Sequence, residues 1–271
     1  MIFTDQTGYS ITLADRPRRI VSLVPSQTEL LHDLGLDEEV IGITKFCIHP
    51  EKWFRSKTRV GGTKRVKINI IHSLQPDLII ANKEENTKED IEELRKHYPV
   101  WTSDISTVEE AFNMMREIGR ITDTKEKANL IIEKCKYEFS QLQTENHKRP
   151  TAYFIWRNPW MSVGGDTFIH DMMERCGLEN IFADLSRYPE IDIKTLIGSQ
   201  LTCDIEPSVV NCELILLSSE PYPFKEQHIA ELREAGFKGK ILLVDGEMFS
   251  WYGSRMLKAP AYFKDLLQEL S

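Results

Sequence analysis

Apolar positions along the chain come in short blocks separated by turn residues, and their period switches between strand-like and helical. Four compact apolar runs, Ile20–Val24, Val40–Ile43, Leu78–Ala81 and Val100–Thr102, read as strands. Between them lie helical patterns at Thr28–Leu34, Ile68–Leu74 and Thr87–His97. Strands alternating with helices predict a mostly parallel sheet covered on both faces. The first junction, "RRIVSLVPSQTELLHDLGL", is a strand, a tight turn and a helix. Ser26, Gln27, Thr28 and Glu29 spell a capping box, and Gly35 supplies a left-handed stop. A cap suffices to explain that junction, although such turns also edge ligand clefts in open α/β sheets.

Residues 107–148 keep helical periodicity with one break near Thr122–Thr124. The second piece, Lys125 to about His147, predicts a helix about 33 Å long. Ala128, Ile131, Ile132, Cys135, Phe139 and Leu142 form its apolar stripe. The second half then repeats the first. Ala152–Trp156 reads as a strand and Ile169–Cys176 as a helix closed at Gly177, while "MMERCGLENIFAD" echoes "LLHDLGLDEEVIGI". The expected organisation is therefore an N-terminal α/β lobe over residues 1–106, a helical segment over 107–148 that contains a connecting strut, and a C-terminal α/β lobe over 149–271.

Composition narrows the function. The chain has 271 residues, 41% hydrophobic and 28% charged, with a net charge of −8. An acidic balance argues against a nucleic-acid binder, which needs a basic face. No apolar run is long enough to span a bilayer. The start, "MIFTDQTGYSITLADRP", lacks a basic segment followed by an apolar one. The five cysteines, Cys47, Cys135, Cys176, Cys203 and Cys212, are odd in number and form no C-x-x-C, so all are expected as free thiols. Together these features predict a cytoplasmic monomer; the alternative is a periplasmic or membrane-anchored protein whose export segment has been removed.

Catalytic signatures are missing: there is no G-x-S-x-G, Walker A, G-x-G-x-x-G or H-E-x-x-H. No two of the seven histidines have the close spacing common in metal sites. What stands out is aromatic and basic residues in loops that follow strands. They are Lys45, Phe46, Lys64 and Arg65, then Trp156, Arg157 and Trp160, then Tyr222 and Phe224, then Phe249, Trp251, Tyr252 and Arg255. His49 sits in another such loop. Rings of this kind suit a large, flat ligand, and the cations suit carboxylate or phosphate at its edge. Trp160 and Trp251 are expected to face a cleft, and Trp53 and Trp101 to be core.

The stretches "RRIVSLVPSQTELLHDLGL", "LQPDLIIANKEEN" and "GLENIFAD", with the long helical segment between the last two, resemble the class III periplasmic binding proteins, also called the helical backbone metal receptor superfamily. The resemblance spans nearly the whole chain and is nearest to the cobalamin-binding type. It implies an α/β fold of two Rossmann-like lobes joined by one long backbone helix, with the ligand in a cleft between the lobes. It implies a substrate-binding protein for a corrinoid, haem-like or ferric siderophore ligand, with no catalysis and no cofactor beyond that bound chelate. An ABC permease would be the partner. Carried over by position, the ligand-lining residues are Lys45, Phe46, His49, Lys64, Asn82, Trp156, Arg157, Trp160, Trp251, Tyr252 and Arg255. The chain departs from the pattern at Lys64 and Asn82, where cobalamin-binding relatives tend to carry aromatics. It departs again at Asn69 and Lys194, which fall where relatives carry permease-docking glutamates; Glu190 and Asp192 lie close by. The competing expectation is a cytosolic enzyme or metallocofactor-handling factor on the same fold.

Overall fold

The computed structural model of the chain describes residues 1–142, 144, 149–197 and 211–270. They divide into two compact units, Met1–Tyr137 with Trp251–Leu257, and Glu138–Ser250 with Lys258–Ser271. The first unit runs β1 (Ile2–Thr4), β2 (Ser10–Thr12), β3 (Ile20–Ser22), α1 (Pro25–Asp33), β4 (Val40–Ile43), α2 (Glu51–Ser56), β5 (Thr58–Arg59), β6 (Gly61–Gly62), β7 (Arg65–Val66), α3 (Ile68–Leu74), β8 (Leu78–Asn82), α4 (Lys88–Arg95), β9 (Val100–Ser103), α5 (Val108–Ile121) and the greater part of α6 (Lys125–Ser140). Its main sheet has the order β5-β4-β3-β8-β9, and every pair in it is parallel. Val21, Ile79, Ala81 and Val100 of the sheet pack with Ile71 of α3 and with Ile91 and Leu94 of α4. Strands buried on both faces explain why these runs are almost continuously apolar.

The second unit runs β10 (Arg149–Phe154), α7 (Phe168–Arg175), β11 (Leu178–Asn180), α8 (Lys194–Ile197), β12 (Leu214–Ser218), α9 (Glu226–Glu234), β13 (Lys240–Val244), α10 (Glu247–Ser250) and α11 (Ala259–Leu270). Its sheet is also wholly parallel, in the order β11-β10-β12-β13. Ala152, Phe154, Ile215 and Leu217 anchor its core. The α/β fold with parallel sheets is as expected.

Three details differ from expectation. The capping box at Ser26–Glu29 does not form. Val24 is the N-cap of α1 and makes no side-chain cap, because Pro25 occupies the first helical turn and pushes Ser26 inside the helix. The box occurs instead at α5, where Thr107 Oγ1 accepts from the Glu110 N–H at 3.2 Å and the Glu110 carboxylate accepts from the Thr107 N–H at 3.0 Å. Second, α6 keeps its stripe of Ala128, Ile131, Ile132 and Cys135 but ends at Ser140, short of the expected length; His147 lies outside the described residues. Gln141 and Leu142 donate to carbonyls three residues back, which winds the helix out.

The third difference matters most. Trp251–Leu257, which sequence order assigns to the second half, belongs to the first unit. Arg255 Nε donates to Glu29 Oε2 at 2.8 Å, and both side chains are buried. Gly253, at φ +95°, lies against α1, where an added Cβ would stand 3.4 Å from Leu30 Cβ. Removing one member of such a pair leaves the other charge buried and uncompensated. Glu29→Ala should therefore destabilise the protein by about 3–5 kcal/mol in urea unfolding, while the double variant Glu29→Leu, Arg255→Met recovers most of that loss. A loss below about 1 kcal/mol in the single variant would mean that the pair does not hold the segment in place.

Candidate functional site

In each sheet the strand order reverses once, between β3 and β8 in the first unit and between β10 and β12 in the second. Ligands of open α/β sheets bind outside the carboxyl ends of strands at such a point.

In the first unit, the loop after β4 lies against the hairpin β6–β7. The Lys45 N–H donates to the Gly61 carbonyl at 2.8 Å. A Cβ at Gly62 would stand 3.2 Å from the Phe46 ring and 3.4 Å from Lys45 Cε, so glycine permits this approach. Phe46 is 49% exposed, and Lys45 Nζ lies 4.8 Å from its ring centre. Lys64 is exposed and donates to the Glu84 carbonyl. His49 is half-buried, with its ring edge-on to Trp251 at 5.7 Å. Trp251 and Tyr252 are each 7% exposed. The Tyr252 hydroxyl resists ionisation because it is buried beside Glu85, despite hydrogen bonds from Gln27, Ser26 and Ser103. Arg255 lies over Trp251 at 5.0 Å but is held by Glu29.

Asn82 is placed differently from the ligand-lining role that the resemblance implies. It is 2% exposed, and its amide donates to Ser103 Oγ at 3.0 Å. Its Oδ1 accepts from the Glu84 and Glu85 N–H groups at 2.8 and 3.0 Å. It therefore shapes the loop after β8 and presents Glu85. That half-buried carboxyl is raised above its ordinary 4.5 by burial, against the opposing pull of Lys64 and a hydrogen bond with Thr63. Sequence reading passed over Glu85; its place three residues beyond a strand at the reversal of strand order was the available signal.

In the second unit, Trp156 is 40% exposed and meets Tyr222 edge-on at 5.6 Å. Tyr222 Oη lies 3.1 Å from His228 Nε2, and the Lys225 N–H donates to His228 Nδ1 at 2.9 Å. Trp160, expected on a cleft, is 8% exposed in the core cluster, stacked on Phe224 at 5.6 Å. Arg157 lies 4.8 Å from the Trp160 ring centre, and its Nε donates to both carboxylate oxygens of Glu231 at 3.1 Å. That pairing raises its pKa further. Arg157 and Glu231 form the wall shared by two hollows. One is a polar cavity of about 320 Å³ that also takes in Asn158, Tyr222, Gln227 and His228; the other is a more apolar groove of about 530 Å³ over Trp160 and Leu232.

A model of the periplasmic binding proteins matches residues 20–200. The chain belongs to that family. A vitamin B12-binding protein of Vibrio parahaemolyticus is 27% identical over 197 residues, which cover 70% of this chain and 71% of that protein. An uncharacterized ABC transporter substrate-binding lipoprotein of Bacillus subtilis, YvrC, is 24% identical over 204 residues, covering 71% and 64%. The crystal structure of the periplasmic vitamin B12 binding protein of Vibrio cholerae has a TM-score of 0.74 at 19% identity, over 93% of this chain and 97% of that one. That likeness establishes the two-lobe fold.

The family is one of binding proteins, and it overturns the cytoplasmic placement: its members are periplasmic binding proteins, and one relative is a lipoprotein. Free thiols misled that inference. Cys47, Cys135, Cys176 and Cys212 are free, as expected, and Cys203 lies outside the described residues. Burial pushes Cys176 up to about 12 and Cys212 to about 11. Buried thiols that resist ionisation are poor nucleophiles, so their being free carries no information about compartment. No helix among the described residues is long and apolar enough to cross a membrane.

Glu85 gives this site a pH signature. With its folded pKa raised above 4.5, its contribution to stability is full below that value and is lost as pH rises through the folded one. Glutamine cannot ionise, so Glu85→Gln should gain stability relative to the wild type as pH rises from 4.5 through the folded value. Urea midpoints that move in parallel across that range would show that Glu85 is not buried in this way.

Proposed function

We propose that this chain is the solute-binding component of an ABC importer and carries a metal chelate of the corrinoid type. The observation that carries this reading is the chemistry at the carboxyl ends of the strands. Exposed rings, Phe46 in one unit and Trp156 in the other, stand beside hydrogen-bonding groups, while the two arginines that an acidic ligand would recruit are already matched. Arg255 is held by Glu29 and Arg157 by Glu231. Flat apolar surface with hydrogen-bonding neighbours suits a macrocycle rimmed by amides, to whose oxygens Lys45 and Lys64 can donate. The name of the Vibrio parahaemolyticus relative agrees with this choice. We assign ligand contact to Lys45, Phe46, His49, Lys64 and Glu85 in the first unit, and to Trp156 and Tyr222 in the second.

A thermal-shift panel of cyanocobalamin, haem and a ferric catecholate tests the reading, because a ligand that binds only the native state raises its melting temperature. Stabilisation by cyanocobalamin alone is expected; stabilisation by haem or the catecholate alone would overturn the corrinoid assignment. Phe46→Ala and Trp156→Ala should each weaken cyanocobalamin binding in titration calorimetry by about 2 kcal/mol, roughly thirtyfold in Kd. Both rings are exposed, so folding should be unaffected. Unchanged affinity in both variants would reject the residues named.

A further inference from the structure

A second cluster of titratable side chains lies in the first unit, away from the candidate site. The helices α3 and α4 lead into β8 and β9, so their carboxyl ends sit at the amino ends of those strands, the edge opposite the ligand-facing loops. His72 is in the last turn of α3, and His97 follows the end of α4. Their ring centres are 5.1 Å apart. Two imidazoles sharing one tetrahedral ion have ring centres about 5 Å apart, given metal–nitrogen bonds of about 2.0–2.1 Å.

Further features favour a cation here. Tyr98 Oη lies 2.9 Å from His72 Nδ1, which fixes that ring and leaves Nε2 as the ligating nitrogen. His97 Nε2 lies 3.8 Å from Glu93 Oε1, close to the roughly 3.4 Å that separates neighbouring donors on a tetrahedral ion. Lys96 Nζ donates to the other oxygen, Glu93 Oε2, at 2.5 Å and fixes that carboxylate. The carboxyl ends of two helices add their negative poles. Among the described residues no group of three or more histidine, cysteine, aspartate or glutamate side chains is placed to hold a metal ion, so these side chains would close on the ion as it binds.

We propose that His72 and His97 together bind one divalent transition-metal ion of the zinc, nickel or copper class, with Glu93 and water completing its coordination. The ion ties α3 to the turn between α4 and β9. Imidazole nitrogens select this class over magnesium or calcium, which prefer oxygen. The site is independent of the chelate-binding reading.

The test is titration calorimetry of untagged, chelator-treated full-length protein with zinc chloride. One saturable equivalent is expected, with none for magnesium. His97→Ala and His72→Ala should each abolish it; His97 is exposed, so its variant should keep the wild-type circular dichroism spectrum. Tyr98→Phe should weaken binding about tenfold at unchanged stoichiometry, as a residue that positions a ligand does. With copper(II), electron paramagnetic resonance should show coupling to two imidazole nitrogens in the wild type and no such two-nitrogen signal in His97→Ala. Absence of saturable zinc binding, or zinc binding retained in both histidine variants, overturns the proposal.

Discussion

The pairing of Glu29 with Arg255 is the constraint on which the first unit's ligand face rests. It joins positions 226 apart in sequence, inside a buried setting where either charge alone would be costly. Through it the segment Trp251–Leu257 is seated on α1, which brings Trp251 beside His49 and Tyr252 beside Ser26, Gln27 and Ser103. Gly253, at φ +95°, supplies the left-handed backbone by which the segment turns against α1. A residue that reads locally as half of a helix cap is thus the anchor of a distant segment.

The same logic governs the rest of the candidate site. Side chains that look like free binding groups in sequence are largely employed in holding loops. Asn82 spends its amide and carbonyl on Ser103 and on the backbone of Glu84 and Glu85. Arg157 is neutralised by Glu231, and Trp160 stacks in the core on Phe224. What remains available at the surface is modest: two exposed rings, two exposed lysines, and a carboxyl whose pKa burial raises. A ligand recognised this way is gripped by shape and stacking, with hydrogen bonds setting its orientation.

Much of the fold was legible in the chain. Val40–Ile43 and Ile68–Leu74 match their predicted bounds, and Leu78–Asn82 and Val100–Ser103 exceed theirs by one residue. The reason is that local periodicity, turn glycines and parallel-sheet burial all point the same way in these segments. The candidate site was half legible. Position after a strand picked out Phe46 and Trp156, whose rings are exposed; the Trp156 loop follows β10 at the reversal of strand order, and the Phe46 loop follows β4 one strand away from it. Trp160, Trp251 and Asn82 are buried where position after a strand pointed to exposure, since exposure depends on which neighbours arrive from elsewhere.

The sequence by itself determined the class of fold, the alternation of strands and helices, the repeat of one α/β plan in two halves, and the family resemblance. These are local or periodic properties, and each survives being read a few residues at a time. Only the tertiary structure decided that Trp251–Leu257 joins the first unit, that Glu29 faces Arg255 in place of capping a helix, and that Arg157 is matched by Glu231. Those outcomes depend on partners 74 to 226 residues away, and the balance between burying a charge and pairing it has no signature in either segment alone.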